Sequence, residues 1–478
     1  MRPIRVLFTN NALGPRGGSE TYIRDVAIAL VRQGHRPAAF SLVHGDVAVE
    51  LRNATVPVID DITRLGEPPD VIHGHHHLET LIAALAFPDA PIVNFCHGWI
   101  PWEELPLHHP SVRRYVAVDE VCADRLIREE GLAPGQVDLL LNFVDPARFA
   151  RRAPLPRRPA RALVLSNAAR ASGYAGVIRA ACEAGGVTLD IVGAAAGNPT
   201  DVPEQLLAGY DLVFAKGRSA LEALAVGCAT IVADAAGAGP LVTPDNYEGL
   251  RRRNFGIREL RHAHDVEWYR DQIATYDAER CGQVTERVRV DADLDAAVAR
   301  LLDIYQAAMA APPGPGDASR AAAIHCSRIA VPLKQAYRSN QRAAWLEREL
   351  DVAQEHHART VAQADAENRA LRAGVDGLLA DLACFHAEHR DSQAQHALET
   401  HALHDRLAVL AEERSQGDES SRATARQLAA ALQQVEALQR QVAEFRSLPS
   451  LRLRDALLRT PLVGSAIQRM ARRLMAHG

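Results

Sequence analysis

The sequence contains almost no lysine. Only two of its 54 basic residues are lysines, Lys216 and Lys334, and all the others are arginines. Acidic residues number 59, which gives a net charge of −5. The chain as a whole therefore lacks the positive field that nucleic-acid-binding proteins use, and we expect no nucleic-acid partner.

Long apolar runs and paired cysteines are also missing. No stretch approaches the roughly 18 apolar residues that suggest a membrane span, and the apolar run in MRPIRVLFTNN is too short for a signal peptide. The seven cysteines form no C-x-x-C pair and no zinc-binding spacing. Scattered cysteines suit a reducing compartment, so the sequence predicts a cytoplasmic protein.

Two blocks of alternating strand and helix patterns make up most of the chain. The first covers residues 1–148, and the second covers residues 149–312. A Pro/Arg-rich stretch, residues 150–162, marks the boundary between them. Such alternation predicts two α/β domains, each with a parallel sheet covered on both faces. The predicted strands are 4–9, 56–60, 69–74, 91–96, 114–119, 137–142, 162–167, 188–193, 210–215 and 230–234.

The last third of the chain has a different composition. Residues 313–340 are expected to form a linker, and residues 341–446 carry apolar residues at heptad spacing. This spacing predicts a long, imperfect coiled coil through which the protein self-associates, and a single solvated helix is the alternative. The heptad residues are Leu371, Val375, Leu378, Leu382, Leu403, Leu407, Leu410, Leu428, Leu432 and Val435.

Residues 447–478 are rich in arginine, leucine and methionine. A basic amphipathic segment of this kind either lies on an anionic membrane, here the inner face of the plasma membrane, or packs on a protein surface. The sequence leaves both interpretations open.

Loops that follow strands are the candidate sites, because open α/β sheets bind ligands beyond the carboxyl ends of their strands. Gly17 and Gly18 precede a helix whose first N–H groups favour phosphate; a flexible turn with Ser19 as the N-cap is the alternative. His97 directly follows a strand, where it either contacts a sugar or is a structural histidine.

The stretch VFAKGRSALEALAVG, residues 213–227, contains a second candidate site. Lys216, Gly217 and Arg218 form a turn at the start of a helix, which gathers positive charge where a diphosphate would lie. Ser219 and Glu222 fit a capping box, which explains both residues without any ligand. A solvated basic turn is the alternative.

The histidine-rich stretch DVIHGHHHLET, residues 70–80, suggests a metal site only superficially. Consecutive histidines cannot all face one point from regular structure, and no carboxylate has a characteristic ligand spacing. We therefore expect no metal, and we expect a polar loop that faces the cleft.

Several motifs, taken in order over residues 4–310, together resemble family 4 of the GT-B glycosyltransferases. They are G-G-x-E with ALVRQGH, then DVIHGHH, HG, VAVDEVCADRL, LNFVDPARF, LDIVG and LEALAVGCATIVAD. The resemblance implies an α/β fold of two Rossmann-like domains that face a cleft. The acceptor is then held mainly by the first domain and a nucleotide diphosphate sugar mainly by the second. Retention of anomeric configuration, with no metal and no cofactor, is also implied.

The resemblance implies roles for individual residues. Gly17 and Gly18 match the loop that approaches the donor phosphates, and His97 matches the histidine near the reaction centre. Glu222 matches the second glutamate of the E-x7-E signature, which binds the ribose hydroxyls.

The sequence also departs from the family pattern. The first glutamate of the signature would fall at Phe214, and the region that normally supplies an arginine and a lysine for the diphosphate has only Arg170. This departure suggests that Lys216, Gly217 and Arg218 bind the diphosphate instead.

These observations predict a retaining, hexosyltransferase-like enzyme. It would move a sugar from a nucleotide diphosphate sugar to a glycan or lipid-linked acceptor in cell-surface polysaccharide synthesis. Two alternatives remain open. One is a degenerate GT-B domain that serves as a coiled-coil scaffold. The other is a GT-B sugar-nucleotide epimerase, for which Glu79, Glu103 and Glu104 are acid/base candidates.

Overall fold

The structure is a computed structural model that describes residues 2–14, 16–99 and 102–388. Beyond residue 388 it describes only residues 405, 406, 408, 409, 429, 430, 433, 436, 437 and 440. The chain divides into two compact units, Met1–Ser327 and Arg328–Gly478. The first unit contains both predicted α/β domains.

Within the described residues up to position 148, the first domain contains seven strands and four helices. The strands are Arg5–Thr9 (β1), Arg36–Phe40 (β2), Val58–Ile59 (β3), Val71–Gly74 (β4), Ile92–Cys96 (β5), Val112–Ala117 (β6) and Val137–Leu139 (β7). The helices are Gly18–Arg32 (α1), Asp46–Asn53 (α2), His77–Ala86 (α3) and Glu120–Asp124 (α4). The strands are all parallel, in the order β3-β2-β1-β4-β5-β6-β7, which is the Rossmann order with one strand added.

Five strands and six helices form the second domain. The strands are Arg161–Leu165 (β8), Thr188–Val192 (β9), Leu212–Ala215 (β10), Ala229–Asp234 (β11) and Gly237–Leu241 (β12). The helices are Tyr174–Ala184 (α5), Pro203–Leu207 (α6), Gly217–Val226 (α7), Tyr247–Arg252 (α8), Val266–Ala274 (α9) and Ala278–Asp291 (α10). The order is β12-β11-β10-β8-β9, and β12 is antiparallel to β11.

Two longer helices follow, Leu294–Ala310 (α11) and Ala318–Glu388 (α12). Short helical turns complete the described elements. The 3-10 turns are Ile62–Arg64, Trp102–Glu104, Pro134–Gln136, Ala194–Ala196 and Ile257–Glu259, and a π-helical turn covers Arg125–Glu129.

The predicted GT-B arrangement, two α/β domains whose sheets face a cleft, is confirmed. Every strand predicted from the sequence overlaps a strand of the structure, whereas β2 and β12 have no counterpart among the predictions. These two strands read RPAAF and GAGPL, so proline, alanine and glycine take the place of β-branched residues. Pairing with neighbouring strands, rather than β-propensity, therefore holds them in the sheets.

Helix α11 packs in the first domain although it follows the second. The chain crosses between the domains twice, and the crossings lie side by side: the Val144 N–H donates to the Ala292 carbonyl at 2.8 Å, and the Leu294 N–H donates to the Val144 carbonyl at 3.1 Å. The sequence predicted that the second domain runs to residue 312, whereas α11 packs with the first domain. Apolar residues of α11 join the core of the first domain: Leu294, Val298, Leu301, Leu302, Ile304, Tyr305 and Ala308.

Helix α12 begins inside the segment 313–340, which was predicted as a linker. Of the predicted heptad residues, Leu378 is buried, and Leu371 and Val375 are half-buried. The heptad residues from Leu403 onward and the basic segment 447–478 lie outside the described residues, so the coiled coil and the tail remain predictions. None of the described helices has the length and hydropathy that a bilayer crossing requires.

Replacing Val298 by alanine tests the placement of α11. Val298 is 0 % exposed in the core of the first domain, so V298A should lower the free energy of unfolding by roughly 2 kcal/mol because it leaves a cavity. Val290 on α10 is 76 % exposed, and V290A is the matched control with little expected change. Urea denaturation measures both variants, and equal midpoints would contradict the placement.

Candidate active site

A cavity of about 230 Å³ lies between the carboxyl ends of the two sheets. Strand order reverses at β1/β4 in the first sheet and at β8/β10 in the second, and open α/β sheets bind ligands at such switch points. The cavity is lined by Arg16, Gly17, Gly18, Thr21, Arg24, Arg148, Leu165, Asn167, Val192, Gly193, Thr200, Pro203, Arg218, Ser219 and Glu222.

Four of the predicted site residues meet in this cavity: Gly17, Gly18, Arg218 and Glu222. Gly17 is the N-cap of α1, and no side chain caps this helix. The positive end of the α1 dipole and its first N–H groups therefore lie at the cavity, where they favour an anion.

Lys216, Gly217 and His97 do not line this cavity. Lys216 is half-exposed, and its Nζ lies 3.0 Å from Asp234 Oδ2. Gly217 has a φ of +59° and donates its N–H to the Phe255 carbonyl at 3.1 Å, so it shapes the turn. The charge that the sequence assigned jointly to Lys216 and Arg218 therefore comes, at the cavity, from Arg218.

The predicted capping box is wrong, and so is the alternative in which Ser19 caps α1. Helix α7 begins at Gly217 with Lys216 as its N-cap and no side-chain cap, so Ser219 lies inside the helix. Glu222 Oε1 instead accepts a hydrogen bond from Arg218 Nε at 2.9 Å. Burial raises the pKa of Glu222, and the nearby Arg218 opposes this shift. With α1 capped by Gly17, both helices begin earlier than the sequence predicted.

Arg218 is buried between two carboxylates. Its Nη2 pairs with Asp25 of α1 and its Nε with Glu222 of its own helix, while the guanidinium lies 5.9 Å from the ring centre of Phe143. Burial alone would lower the pKa of Arg218, but Asp25 and Glu222 outweigh it and the pKa is raised. Because Asp25 belongs to the first domain, the pair with Arg218 crosses the cleft.

Three further arginines line the cavity, and the sequence analysis missed them. Arg16 and Arg24 pair with Glu50 at 2.6 and 2.9 Å, and Arg148 pairs with Glu204 at 3.0 Å. Glu50 and Glu204 thereby fix the orientation of these three guanidinium groups. A signal was available for two of them, because Arg16 belongs to the glycine loop and Arg148 to the LNFVDPARF motif.

Phe214, at the position of the absent first glutamate, belongs to the core. Its side chain is fully buried on β10, and its ring centre lies 5.7 Å from that of Tyr269. Arg170 does not line the cavity either. The cavity therefore takes its charge from residues other than those of the usual family pattern.

His97 follows β5 and is half-buried. Its backbone N–H donates to Glu104 Oε2 at 2.8 Å, and its ring centre lies 4.8 Å from that of Tyr22. Tyr22 in turn packs 4.8 Å from Phe143, which lies beside Arg218. Burial lowers the pKa of His97 to about 4, so its imidazole is neutral at pH 7.

The histidine-rich stretch forms a hydrogen-bonding cluster. His73 Nε2 lies 2.8 Å from His75 Nε2, which lies 3.0 Å from His97 Nε2. These nitrogens face one another rather than a common point, and no group in the described part of the chain is arranged to hold a metal ion. Burial lowers the pKa of His73 and of His75 well below the usual range, so both rings are neutral.

None of the three glutamates considered for epimerisation lines the cavity. Glu79 is buried on α3, where burial raises its pKa. Glu104 accepts a hydrogen bond from the backbone N–H of His97, and its Oε1 lies 3.5 Å from His76 Nε2. Burial alone would raise the pKa of Glu104, but the bonds from His76 and His97 lower it.

The model of Glycosyltransferase Family 4 matches residues 16–148. Residues 16–148 are therefore similar to Glycosyltransferase Family 4. The matched residues include Gly17, Gly18, His97 and Asp25, the carboxylate that pairs with Arg218. The predicted family resemblance is confirmed over these residues.

Several solved structures are similar to this chain at low identity. A Rickettsia africae glycosyltransferase is 14% identical, with 65% of this chain and 100% of that chain covered, at a TM-score of 0.49. Anabaena HepE, solved with UDP and glucose, is 15% identical, with 63% and 99% covered, at 0.48. A putative UDP-N-acetylglucosamine 2-epimerase from Listeria monocytogenes is 12% identical, with 66% and 99% covered, at 0.40. No curated protein matches the chain.

The low pKa of His97 predicts a pH dependence of stability. The pKa falls from its ordinary 6.5 to about 4 on folding, so the unfolded chain takes up the proton first as the pH drops. The stability that comes from keeping His97 neutral is fully present above pH 6.5 and is lost as the pH falls toward 4. The free energy of unfolding of the wild type should therefore fall more steeply over this range than that of His97→Gln. Urea denaturation between pH 7 and 4 compares them, and parallel curves would contradict the assignment.

Proposed function

We propose that the protein is a retaining glycosyltransferase that moves a sugar from a nucleotide diphosphate sugar to a glycan or lipid-linked acceptor. The observation that carries the proposal is the cavity in which the α1 N-terminus, within the residues that match family 4, meets Arg218 and Glu222 of the second domain. A hexose is the proposed transferred group.

The diphosphate is proposed to bind between Gly17, Gly18 and Arg218. Glycine lets the backbone approach an anion closely, and the α1 N-terminus favours negative charge. Arg16, Arg24 and Arg148 add planar donors that suit phosphate oxygens. No cofactor is needed, because four guanidinium groups can stabilise the leaving diphosphate without a metal ion.

Glu222 is proposed to bind the ribose. One of its carboxylate oxygens is held by Arg218 at 2.9 Å, and its side chain lines the cavity. An ionised carboxylate only accepts hydrogen bonds, so it suits a pair of hydroxyl donors. Because Arg218 donates a hydrogen bond to Glu222, the proposed diphosphate contact at Arg218 and the proposed ribose contact at Glu222 are adjacent.

The C-terminal third is proposed to set where the reaction occurs. Self-association through residues 341–446 rests on the heptad pattern, and membrane-surface contact by residues 447–478 rests on their basic amphipathic composition. Both features fit an enzyme of the cytoplasm that acts on lipid-linked acceptors at the inner face of the plasma membrane, in cell-surface polysaccharide synthesis.

A donor screen with the full chain tests the proposal. The protein is incubated with a panel of nucleotide diphosphate sugars and lipid-linked or oligosaccharide acceptors. Release of the nucleoside diphosphate and the anomeric configuration of the product are followed by NMR. We expect one donor to be consumed with retention. Epimerisation of a donor without transfer, or no binding of any nucleoside diphosphate at millimolar concentration, would contradict the proposal in favour of the epimerase or the scaffold.

Arg218→Gln should weaken nucleoside diphosphate binding at least tenfold, because a charged hydrogen bond is worth about 1.5–3 kcal/mol. Binding of the corresponding nucleoside should change little. Lys216→Gln is the matched control, with a smaller effect, because Lys216 pairs with Asp234 outside the cavity. Calorimetric titration gives all the affinities. Equal losses in the two variants, or equal losses for nucleoside and diphosphate, would refute the assignment of Arg218.

A further inference from the structure

A buried row of hydrogen-bonding groups lies behind His97. The Tyr305 hydroxyl lies 2.5 Å from His73 Nδ1, His73 Nε2 lies 2.8 Å from His75 Nε2, and His75 Nε2 lies 3.0 Å from His97 Nε2. Tyr305, His73 and His75 are fully buried. The row connects α11, β4 and the loop after β5, so it depends on the placement of α11 in the first domain.

The direction of the first hydrogen bond follows from the tyrosine. Burial raises the pKa of Tyr305 well above its usual range, so the hydroxyl keeps its proton. His73 Nδ1 is the partner of this hydroxyl in the described structure. A buried hydroxyl that only accepts would leave its own donor unsatisfied, so Tyr305 donates and Nδ1 accepts. The neutral ring of His73 then carries its proton on Nε2.

The next two hydrogen bonds follow in turn. The Nε2–H of His73 donates to His75 Nε2, so neutral His75 carries its proton on Nδ1. His97 Nε2 faces the same acceptor nitrogen at 3.0 Å, and two lone pairs at that distance would repel. His97 therefore carries its proton on Nε2 as well, directed inward. Its Nδ1 is left unprotonated and forms no hydrogen bond with a described residue.

The opposite direction is less favourable. If His73 Nδ1–H donated to Tyr305, the buried hydroxyl proton would have no acceptor. His75 would then carry its proton on Nε2, and its Nδ1, already without a partner, would become an unsatisfied acceptor. Either direction involves sharing at His75 Nε2, because its single lone pair faces two N–H donors in the first direction and its single N–H faces two lone pairs in the opposite one. The opposite direction leaves two further buried groups unsatisfied, whereas the first leaves one, His75 Nδ1–H.

We infer that Tyr305, His73 and His75 are positioning residues that fix the proton of His97 on Nε2. His97 thereby offers the lone pair of Nδ1 as an acceptor for a hydroxyl group. That this hydroxyl belongs to the donor sugar rests on the proposed function and on the family resemblance of His97, whereas the location of the proton does not. The row also holds the ring from behind, so that the acceptor is in place before the ligand binds.

Imidazole NMR of the full chain, labelled with ¹⁵N-histidine, tests the inference without any sugar. His97→Gln identifies the His97 signals by their loss. In the wild type at neutral pH we expect an unprotonated Nδ1 and a protonated Nε2 for His97. In Tyr305→Phe the donor to His73 is gone, so the His97 Nδ1 resonance should shift toward the protonated form.

Tyr269→Phe is the matched control. Tyr269 is also fully buried, and its hydroxyl bonds a histidine nitrogen, His264 Nδ1, at 2.8 Å in the second domain. This variant should leave the His97 resonances unchanged. A protonated Nδ1 of His97 in the wild type overturns the inference, and this readout stands even if Tyr305→Phe does not fold. An unchanged His97 spectrum in folded Tyr305→Phe also overturns it. Failure of the proposed function would appear only in the donor screen.

Discussion

The pair between Asp25 and Arg218 is the contact on which the cavity depends. It joins the two domains across the cleft, and both side chains are buried. Moving Asp25 away would leave the buried guanidinium of Arg218 with Glu222 as its remaining carboxylate partner in the described structure, so another anion can take the place of Asp25 at low cost. A diphosphate is such an anion. In the proposed reaction, donor binding is therefore an exchange of partners at Arg218, and the arginines are already oriented when the exchange occurs.

The same constraint explains why α1 is central. One end of this helix supplies Gly17 and Gly18 to the cavity, its second turn supplies Tyr22 beside His97, and its next turn supplies Asp25. Helix α11, which follows the second domain in the chain, packs in the core of the first domain and brings Tyr305 to the histidines. Residues distant in sequence thus hold His97 and Arg218 in one arrangement.

The sequence predicted much of the fold, because apolar runs of strand length and amphipathic helices mark parallel α/β layers directly. Of the site residues that it predicted, Gly17, Gly18, Arg218 and Glu222 line the cavity, whereas Lys216, Gly217 and His97 do not. It could not predict where α7 begins, because tertiary contacts as well as the apolar pattern decide where a helix ends, and α7 begins at Gly217 with Lys216 rather than Ser219 as its N-cap. This shift at Gly217 removed the predicted capping box.

Other features depended on long-range packing, which leaves no local pattern in the sequence. The amphipathic pattern of α11 shows that one face is buried, but it does not show which domain covers that face. The arginines at positions 16, 24 and 148 and the row behind His97 come together only in the folded chain.

A crystal structure of the full chain with the nucleoside diphosphate of its donor tests the central claim most directly. The account predicts phosphate oxygens within hydrogen-bond distance of the α1 N-terminus and of the Arg218 guanidinium, with the pair between Asp25 and Arg218 opened. A bound diphosphate at Lys216 or elsewhere outside the cavity, with the pair between Asp25 and Arg218 intact, would contradict it.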